Sequence, residues 1–423
     1  MDFCKMLQPI RCNCGMVHSC DIKQVLIGPG VLGELEHVIG SYNHILLVAD
    51  QNTYQICGRQ VEAQLKERLE STLVYQREGV LVPNEEAIQE MQKQLTKHTD
   101  LIIGVGSGVI QDLCKYVSFE AGLPYDIIAT APSMDGYASK GAAMIIGNMK
   151  ITYTAHVPEV IIGDVYILKD APMDMIRSGY GDILGKYSCL NDWKLSKVIL
   201  DEYFCDYVYE LTYEMLLKTR NLGNQLQKRD PEAIQTLMEA LVGVGIAMAY
   251  VGNSRPASGS EHHMSHFFEV TGIMNEEAYL MHGIDVVYSA IYTQKLREAL
   301  LQIETPTAAI RLSGADWENK IREIYTEAAD GVIALQRKLG WYERDLQPIY
   351  EEKWEEIREV LREVPSSRCL TEYVESVGLH LSEFEALYGT EKIQDAILYA
   401  KDLKDRFTVL WVYYDVESMR TKA

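Results

Sequence analysis

Leu101-Ile102-Ile103-Gly104-Val105-Gly106-Ser107-Gly108-Val109-Ile110-Gln111-Asp112-Leu113-Cys114-Lys115 passes from an apolar run, through alternate glycines, into a helical period. A short apolar run bounded by turn residues reads as a buried strand, here Leu101–Val105, and the segment after Gly108 opens a helix that carries Asp112 and Lys115. Strand, glycine turn, helix is the repeating unit of a parallel α/β sheet. The turn also suits a pyrophosphate. Missing side chains let the backbone come close, and the first N–H groups of a helix supply donors and partial positive charge without a net cation. A glycine turn serves close packing equally well. This one departs from the G-x-G-x-x-G fingerprint: it follows the fourth strand instead of the first, and no acidic residue is well placed about 20 residues downstream for a ribose. Asp50, at the end of the second strand, is the substitute ribose partner, or else simply the N-cap of the next helix.

Working outward, Lys23–Ile27, His44–Ala49, Thr72–Gln76 and Asp126–Thr130 read as further buried strands with helices between them. Asn84, followed by Glu85 and Glu86, predicts an N-capped helix ending near His98. Ala142–Ile146 and Ile151–Thr154, joined through Gly147 and Asn148, predict a hairpin, and Val160–Leu168 one more extended piece. Beyond Pro172 nearly everything has helical period. The expected architecture is therefore a Rossmann-like α/β domain with a parallel sheet over residues 1–170, including a cysteine-containing hairpin at 10–22. An all-α domain over 171–423 completes the chain.

The chain has 423 residues, with 40 Lys and Arg against 61 Asp and Glu, a formal charge of −21. That field repels polyanions, so nucleic acid is not an expected partner, and any phosphate site has to be built locally. Hydrophobic residues at 47% and charged residues at 24% fit a globular protein. Met1–Asp21 lacks a basic segment followed by an apolar one, so a cytoplasmic location is expected. The longest apolar stretch, Leu241–Val251, falls short of the roughly 18–20 residues that a bilayer crossing needs, and no membrane span is expected. Nine cysteines, an odd number, fit reduced thiols.

Two further segments carry chemistry. Thr130-Ala131-Pro132-Ser133-Met134-Asp135, with Ser139 beyond it, ends the fifth strand with small hydroxyls and one carboxylate, suited to a polyol or to an ordinary proline-containing turn. Asp182 in Ser178-Gly179-Tyr180-Gly181-Asp182, the trio His262, His263 and His266, and His282 offer oxygen and nitrogen donors for a catalytic divalent ion. His262 and His266 share a helix face, whereas His263 points about 100° away, so two of the three can serve one cavity. Each imidazole alone is as compatible with a core or surface role.

Gly104–Lys115, Thr130–Ser139, Ser178–Asp182, the run Ser254-Arg255-Pro256-Ala257-Ser258-Gly259-Ser260-Glu261-His262 and Met281–Gly283 together resemble the iron-containing alcohol dehydrogenase and glycerol dehydrogenase superfamily. Within it the likeness is to glycerol-1-phosphate dehydrogenases, especially their bacterial branch, and it covers nearly the whole chain. It implies a dehydroquinate synthase-like architecture and an NAD(H)- or NADP-linked oxidoreductase. The reaction it implies interconverts dihydroxyacetone phosphate and sn-glycerol 1-phosphate for phospholipid biosynthesis. It also implies one divalent ion per chain (zinc, nickel or iron) and a homodimer. Carried over position by position, Asp182, His262 and His282 are metal ligands, and Asp135, Asp182 and His266 contact substrate. Gly106, Ser107, Gly108, Val109, Ile110, Gln111, Asp112, Thr130, Ser133 and Ser139 lie against cofactor, with Asp50 on the adenosine ribose. His266, or water linked to it, supplies the proton, and Asp135 holds a substrate hydroxyl. From their residue types, Arg255 and Ser260 are candidate holders of phosphate, or else serve the structure of their loop. The alternatives are a glycerol or other polyol dehydrogenase, a sugar-phosphate cyclase, and a sensor that binds NADH without turnover.

Cys12, Cys14, His18 and Cys20 would share one face of a hairpin if residues 15–17 form its turn. Such a face suits a structural zinc, and the plainer account is a hairpin of reduced thiols.

Overall fold

The structure, a computed structural model, describes residues 1–147, 149–309, 311–312 and 314–416. It divides into two compact units, Met1–Tyr180 with Asn224–Asn253, and Gly181–Gly223 with Ser254 onward. This differs from the expected division at 170/171: the division falls inside the helix Met173–Leu184, and the segment containing the helix Pro231–Val251 belongs to the first unit.

In the first unit, strands β1 (Gln24–Gly28), β2 (Ile45–Asp50), β3 (Leu69–Tyr75), β4 (Leu101–Gly106), β5 (Tyr125–Ala129) and β6 (Val160–Asp164) form one sheet in the order β1-β6-β5-β4-β2-β3. All five pairings are parallel. Strands β4, β5 and β6 are buried along their whole length, which explains their near-continuous apolar sequence. The chain leaves β2 toward β3 on one side and leaves β4 toward β5 on the other. The junction of β2 and β4 is therefore the topological switch point, where such sheets open a crevice at the strand C-termini.

Several boundaries differ from expectation. The third strand starts at Leu69. The helix after Asn84 ends at Gln92 because Thr96 and Thr99 take over the local backbone: Thr96 N donates to Thr99 Oγ1 at 3.0 Å and His98 N to Thr96 Oγ1 at 3.0 Å. The extended run stops at Asp164, whose carboxylate accepts from Tyr166 N at 3.0 Å and caps the helical turn Val165–Leu168. The hairpin forms as expected, Gly141–Ile146 against Met149–Thr154, with Asn148 outside the described residues. Pro231–Val251 is one helix of 21 residues, long and apolar enough to cross a membrane. However, 72% of its most apolar window is already buried in the protein, as in a core helix. Its Gly245 admits the turn Asp135–Ala138: a Cβ there would stand 2.8 Å from Ala138 Cβ and 2.9 Å from the Asp135 carbonyl oxygen.

The second unit is helical among the described residues, and three of its helices position the site: α1 (Lys186–Leu200), α2 (Ser260–Asn275) and α3 (His282–Leu301). Their core holds an ion pair with no exposure, Arg297 to Asp192 at 2.8 Å. Arg297 also donates through Nε to Asn191 Oδ1 at 2.8 Å and through Nη2 to the Ser188 carbonyl at 3.1 Å. Asp192 Oδ2 accepts from Ser260 N at 2.6 Å and so caps α2, whose own N-cap, Gly259, has no side chain to do it. A Cβ on Gly259 would fall 2.6 Å from that same oxygen.

Candidate functional site

Asp182, His262 and His282 come together in the second unit with ligand atoms within 4.8 Å of one another. His262 Nε2 stands 3.6 Å from Asp182 Oδ1. That is close to the roughly 3.4 Å spanned by two ligands with bonds of about 2.1 Å on a tetrahedral ion. The rings of His262 and His282 have centroids 5.1 Å apart, and His266 lies beside both, at 6.1 and 5.6 Å. A second cluster of donor atoms within 4.8 Å joins His266, Glu269 and His282. His263, on the same helix as His262, is wholly buried. Burial, with Arg406, Lys404 and Arg255 nearby, holds its imidazole neutral, well below the ordinary histidine range.

Backbone contact sets the spacing of two ligands. Asp182 follows Gly181 and His282 precedes Gly283, and a Cβ on Gly181 would stand 2.2 Å from the Gly283 carbonyl oxygen. Only glycine allows so close an approach.

Two residues that sequence reasoning missed complete the arrangement. Glu261 Oε1 lies 2.6 Å from His262 Nδ1 and also accepts from Gly259 N at 2.8 Å. A carboxylate can only accept, so Nδ1 carries the proton and the Nε2 lone pair faces Asp182. Lys186, with no exposure, donates to Asp182 Oδ1 at 2.8 Å and to the Ala257 carbonyl at 2.9 Å. Burial pushes the Asp182 carboxyl up, but the Lys186 ammonium beside it outweighs that and holds the group below the ordinary carboxylate range, ionised. Burial, with Lys186 and His282, keeps His262 far below the usual histidine range and therefore neutral, the form that binds metals. One carboxylate, two imidazoles and an outer carboxylate on His262 make a donor set that fits a catalytic divalent ion.

The expected phosphate holders have other work. Arg255 is 3% exposed and donates to Glu202 Oε1 at 2.7 Å, Phe407 O at 3.0 Å and Ser196 Oγ at 3.1 Å. Ser260 Oγ pairs with Ser188 Oγ at 3.0 Å in the core. Both therefore serve the scaffold, and the nearby carboxylate and hydroxyls explain why a conspicuous arginine is not a binding group here.

In the first unit, the predicted cofactor residues gather at the C-terminal ends of β2, β4 and β5, where Ala49 pairs with Val105 and Gly106 with Ala129. The helix Gly108–Ala121 begins at Ser107 without a side-chain cap, so its first-turn N–H groups have no capping side chain. Gly104 and Gly106 also answer the packing reading: Cβ atoms there would stand 2.8 Å from Cys114 Sγ and 2.6 Å from Ile110 Cβ. Ile110 and Gln111 are buried, and Gln111 donates to Tyr125 Oη at 3.1 Å and the Tyr137 carbonyl at 3.0 Å, so its side chain braces the loop. Asp112 lies 3.7 Å from Lys115, which donates to the carbonyls of Gly136 and Gly141 at 3.1 and 2.7 Å and to Ser139 Oγ at 3.4 Å. Thr130 N donates to Gly106 O at 3.1 Å, and Ser178 Oγ to Ser133 O at 3.1 Å. Asp50 is an N-cap, Oδ1 accepting from Asn52 N at 2.8 Å and Thr53 N at 2.9 Å.

A family profile described as iron-containing alcohol dehydrogenase matches residues 26–172. Over 304 residues the chain is 33% identical to the glycerol-1-phosphate dehydrogenase of Halalkalibacterium halodurans, covering 70% of this chain and 76% of that one. The chain belongs to the glycerol-1-phosphate dehydrogenase family. The relative from Bacillus licheniformis, 27% identical, covers 94% of this chain and 90% of its own, so the likeness in this family takes in both units. Among solved structures, an archaeal halo-thermophilic alcohol dehydrogenase from a Red Sea brine pool shares the fold with a TM-score of 0.61 and 15% identity, covering 96% of this chain and 99% of that one.

Proposed function

We propose that this family member is a metal-dependent, NAD(P)-linked oxidoreductase that interconverts dihydroxyacetone phosphate and sn-glycerol 1-phosphate. The observation that carries the reading is the convergence of Asp182, His262 and His282, with Glu261 fixing the tautomer of His262 and Lys186 fixing the carboxylate. Those three side chains would hold the ion, which when bound supplies Lewis acidity toward a substrate carbonyl. A dinucleotide held by its pyrophosphate at the glycine turn after β4 would supply the hydride. Every other task falls to the chain. The uncapped N-terminus of Gly108–Ala121 receives the pyrophosphate, and Asp50, through the carboxylate oxygen that is not capping, receives the ribose. His266 gives the proton that the reduced oxygen takes up, and Asp135 orients a substrate hydroxyl. Lys404, whose charge reaches both His262 and His263, is the side chain we assign to the phosphate now that Arg255 is committed elsewhere. The family resemblance supports a zinc, nickel or iron ion, a homodimer, a cytoplasmic location and a role in phospholipid biosynthesis.

The test is NADH oxidation with dihydroxyacetone phosphate, dihydroxyacetone and glyceraldehyde, after chelation and stepwise restoration of each metal. The expected result is turnover that returns with metal and prefers the phosphorylated ketone. Full activity in a demonstrably metal-free protein would defeat the proposal, and preference for the unphosphorylated ketone would make it a polyol dehydrogenase.

A further inference from the structure

The hairpin near the start of the chain differs from its expected form. Ile10–Arg11 pairs with Val17–His18, and the turn runs from Cys12 to Met16, closed by Cys12 N to Met16 O at 3.0 Å and Gly15 N to Cys12 O at 3.1 Å. Gly15 takes a φ of 87°, in the left-handed region. Strand alternation therefore does not govern these side chains. Cys12 and Cys14 both fold toward His18, so that two sulfurs and a ring nitrogen lie within 4.8 Å of one another. Cys20 falls beyond the second strand and is buried, its thiol pushed up chiefly by that burial.

The histidine is the informative member. It is completely buried, and its Nδ1 stands 3.0 Å from the Tyr250 carbonyl oxygen. A carbonyl accepts only, so Nδ1 carries a proton, and Nε2 is the nitrogen that can ligate a metal. Nε2 faces Cys14 Sγ at 3.4 Å. The Tyr250 ring lies 5.4 Å from the imidazole and holds it in place. A buried imidazole, oriented by a backbone carbonyl and aimed at two thiols, is how a metal-ligating histidine is usually held.

We propose that Cys12, Cys14 and His18 bind a structural zinc ion, independent of the active site. Two soft sulfurs and an imidazole select zinc over the hard cations. Each thiol releases its proton as its Zn–S bond forms, so uptake gives two protons to solvent with no change of oxidation state. A fourth donor, from water or another side chain, completes a tetrahedral ion.

The test uses the full-length chain. Chelator-stripped protein is reloaded with zinc chloride and zinc is counted by mass spectrometry in the wild type, His262→Ala, and His262→Ala combined with Cys14→Ser. The expected counts are two, one and none per chain. X-ray absorption of zinc-loaded His262→Ala should show sulfur neighbours at about 2.3 Å, which ligands of the oxygen and nitrogen type cannot give. This readout stands even if the cysteine variant fails to fold, and it fails or succeeds separately from the proposal for Asp182, His262 and His282. Zinc in His262→Ala without sulfur neighbours, no zinc at all, or equal zinc in the cysteine variant would each overturn the assignment. So would recovery of Cys12 and Cys14 as a disulfide from protein prepared under reducing conditions.

Discussion

His262 Nδ1 donates to Glu261 across 2.6 Å, and this adjacent pair decides which nitrogen of the ring can hold a metal. Glu261→Gln keeps an oxygen there but removes its charge. Metal affinity should fall by roughly 10–100-fold with the fold intact. Isothermal titration of the stripped variant with zinc or nickel is the measurement; unchanged affinity would reduce Glu261 to a helix-start contact.

His262→Ala and His282→Ala should each lose bound metal and turnover together. His266→Ala should keep the metal and lose kcat by about 10²–10⁴-fold, as expected for a residue that moves a proton. Metal content and steady-state rates on the same samples separate the two classes, and a normal kcat in His266→Ala removes that residue from the proton path.

Lys404→Ala should raise KM for dihydroxyacetone phosphate by about tenfold or more while leaving that for dihydroxyacetone nearly unchanged, since only the first offers an anion to a charge-assisted hydrogen bond. Equal effects on both ketones would mean that Lys404 supports the scaffold and not the phosphate.

Gly106→Ala places a methyl group 2.6 Å from Ile110 Cβ and must push the helix start away from β4. NADH affinity should drop roughly tenfold or more, about 1.4 kcal/mol. Gly108→Ala meets only Met134, with Sδ nearest at 3.3 Å, and should cost less. Fluorescence titration with NADH ranks the two; the reverse order would count against pyrophosphate binding at this turn.

Burial, with Glu159 nearby, pushes the Asp126 carboxyl up to about 8, against the opposing pull of Val160 N–H and Lys23. The folded chain thus keeps this proton between pH 3.8 and about 8, where the unfolded chain has already lost it. Stability from this group is full below pH 3.8 and declines as pH rises through about 8. Urea unfolding at pH 5 and pH 8 should show a larger loss for wild type than for Asp126→Asn, whose amide does not titrate. Equal losses would show that Asp126 is ionised in the folded protein.

The strands were legible because β4 and its neighbours are buried on both faces and so are written as unbroken apolar runs. Inside the helix Pro231–Val251, Gly243 and Gly245 look like punctuation in the sequence, whereas Gly245 serves a close contact with the turn at Asp135. At the site, Asp182, the trio His262, His263 and His266, and His282 stood out by residue type and spacing, and the family resemblance assigned their roles. Glu261 and Lys186 did not, since a helix-start glutamate and a lysine are ordinarily read as solvated. The available signals were adjacency to His262 and the four-residue step from Asp182 to Lys186. Arg255 shows the converse: only the folded chain reveals that Glu202 and Ser196 already occupy it.

The contact of Gly181 with Gly283 bears on which ion the site accepts. Side chains can turn through rotamers to follow an ion of another radius, but two abutting main chains have no such freedom. Asp182 and His282 are therefore offered at a nearly constant gauge, and ions should be sorted by bond length as well as by chemical softness. Widening that gauge by a single methyl group at Gly181 should blur the preference before it abolishes binding.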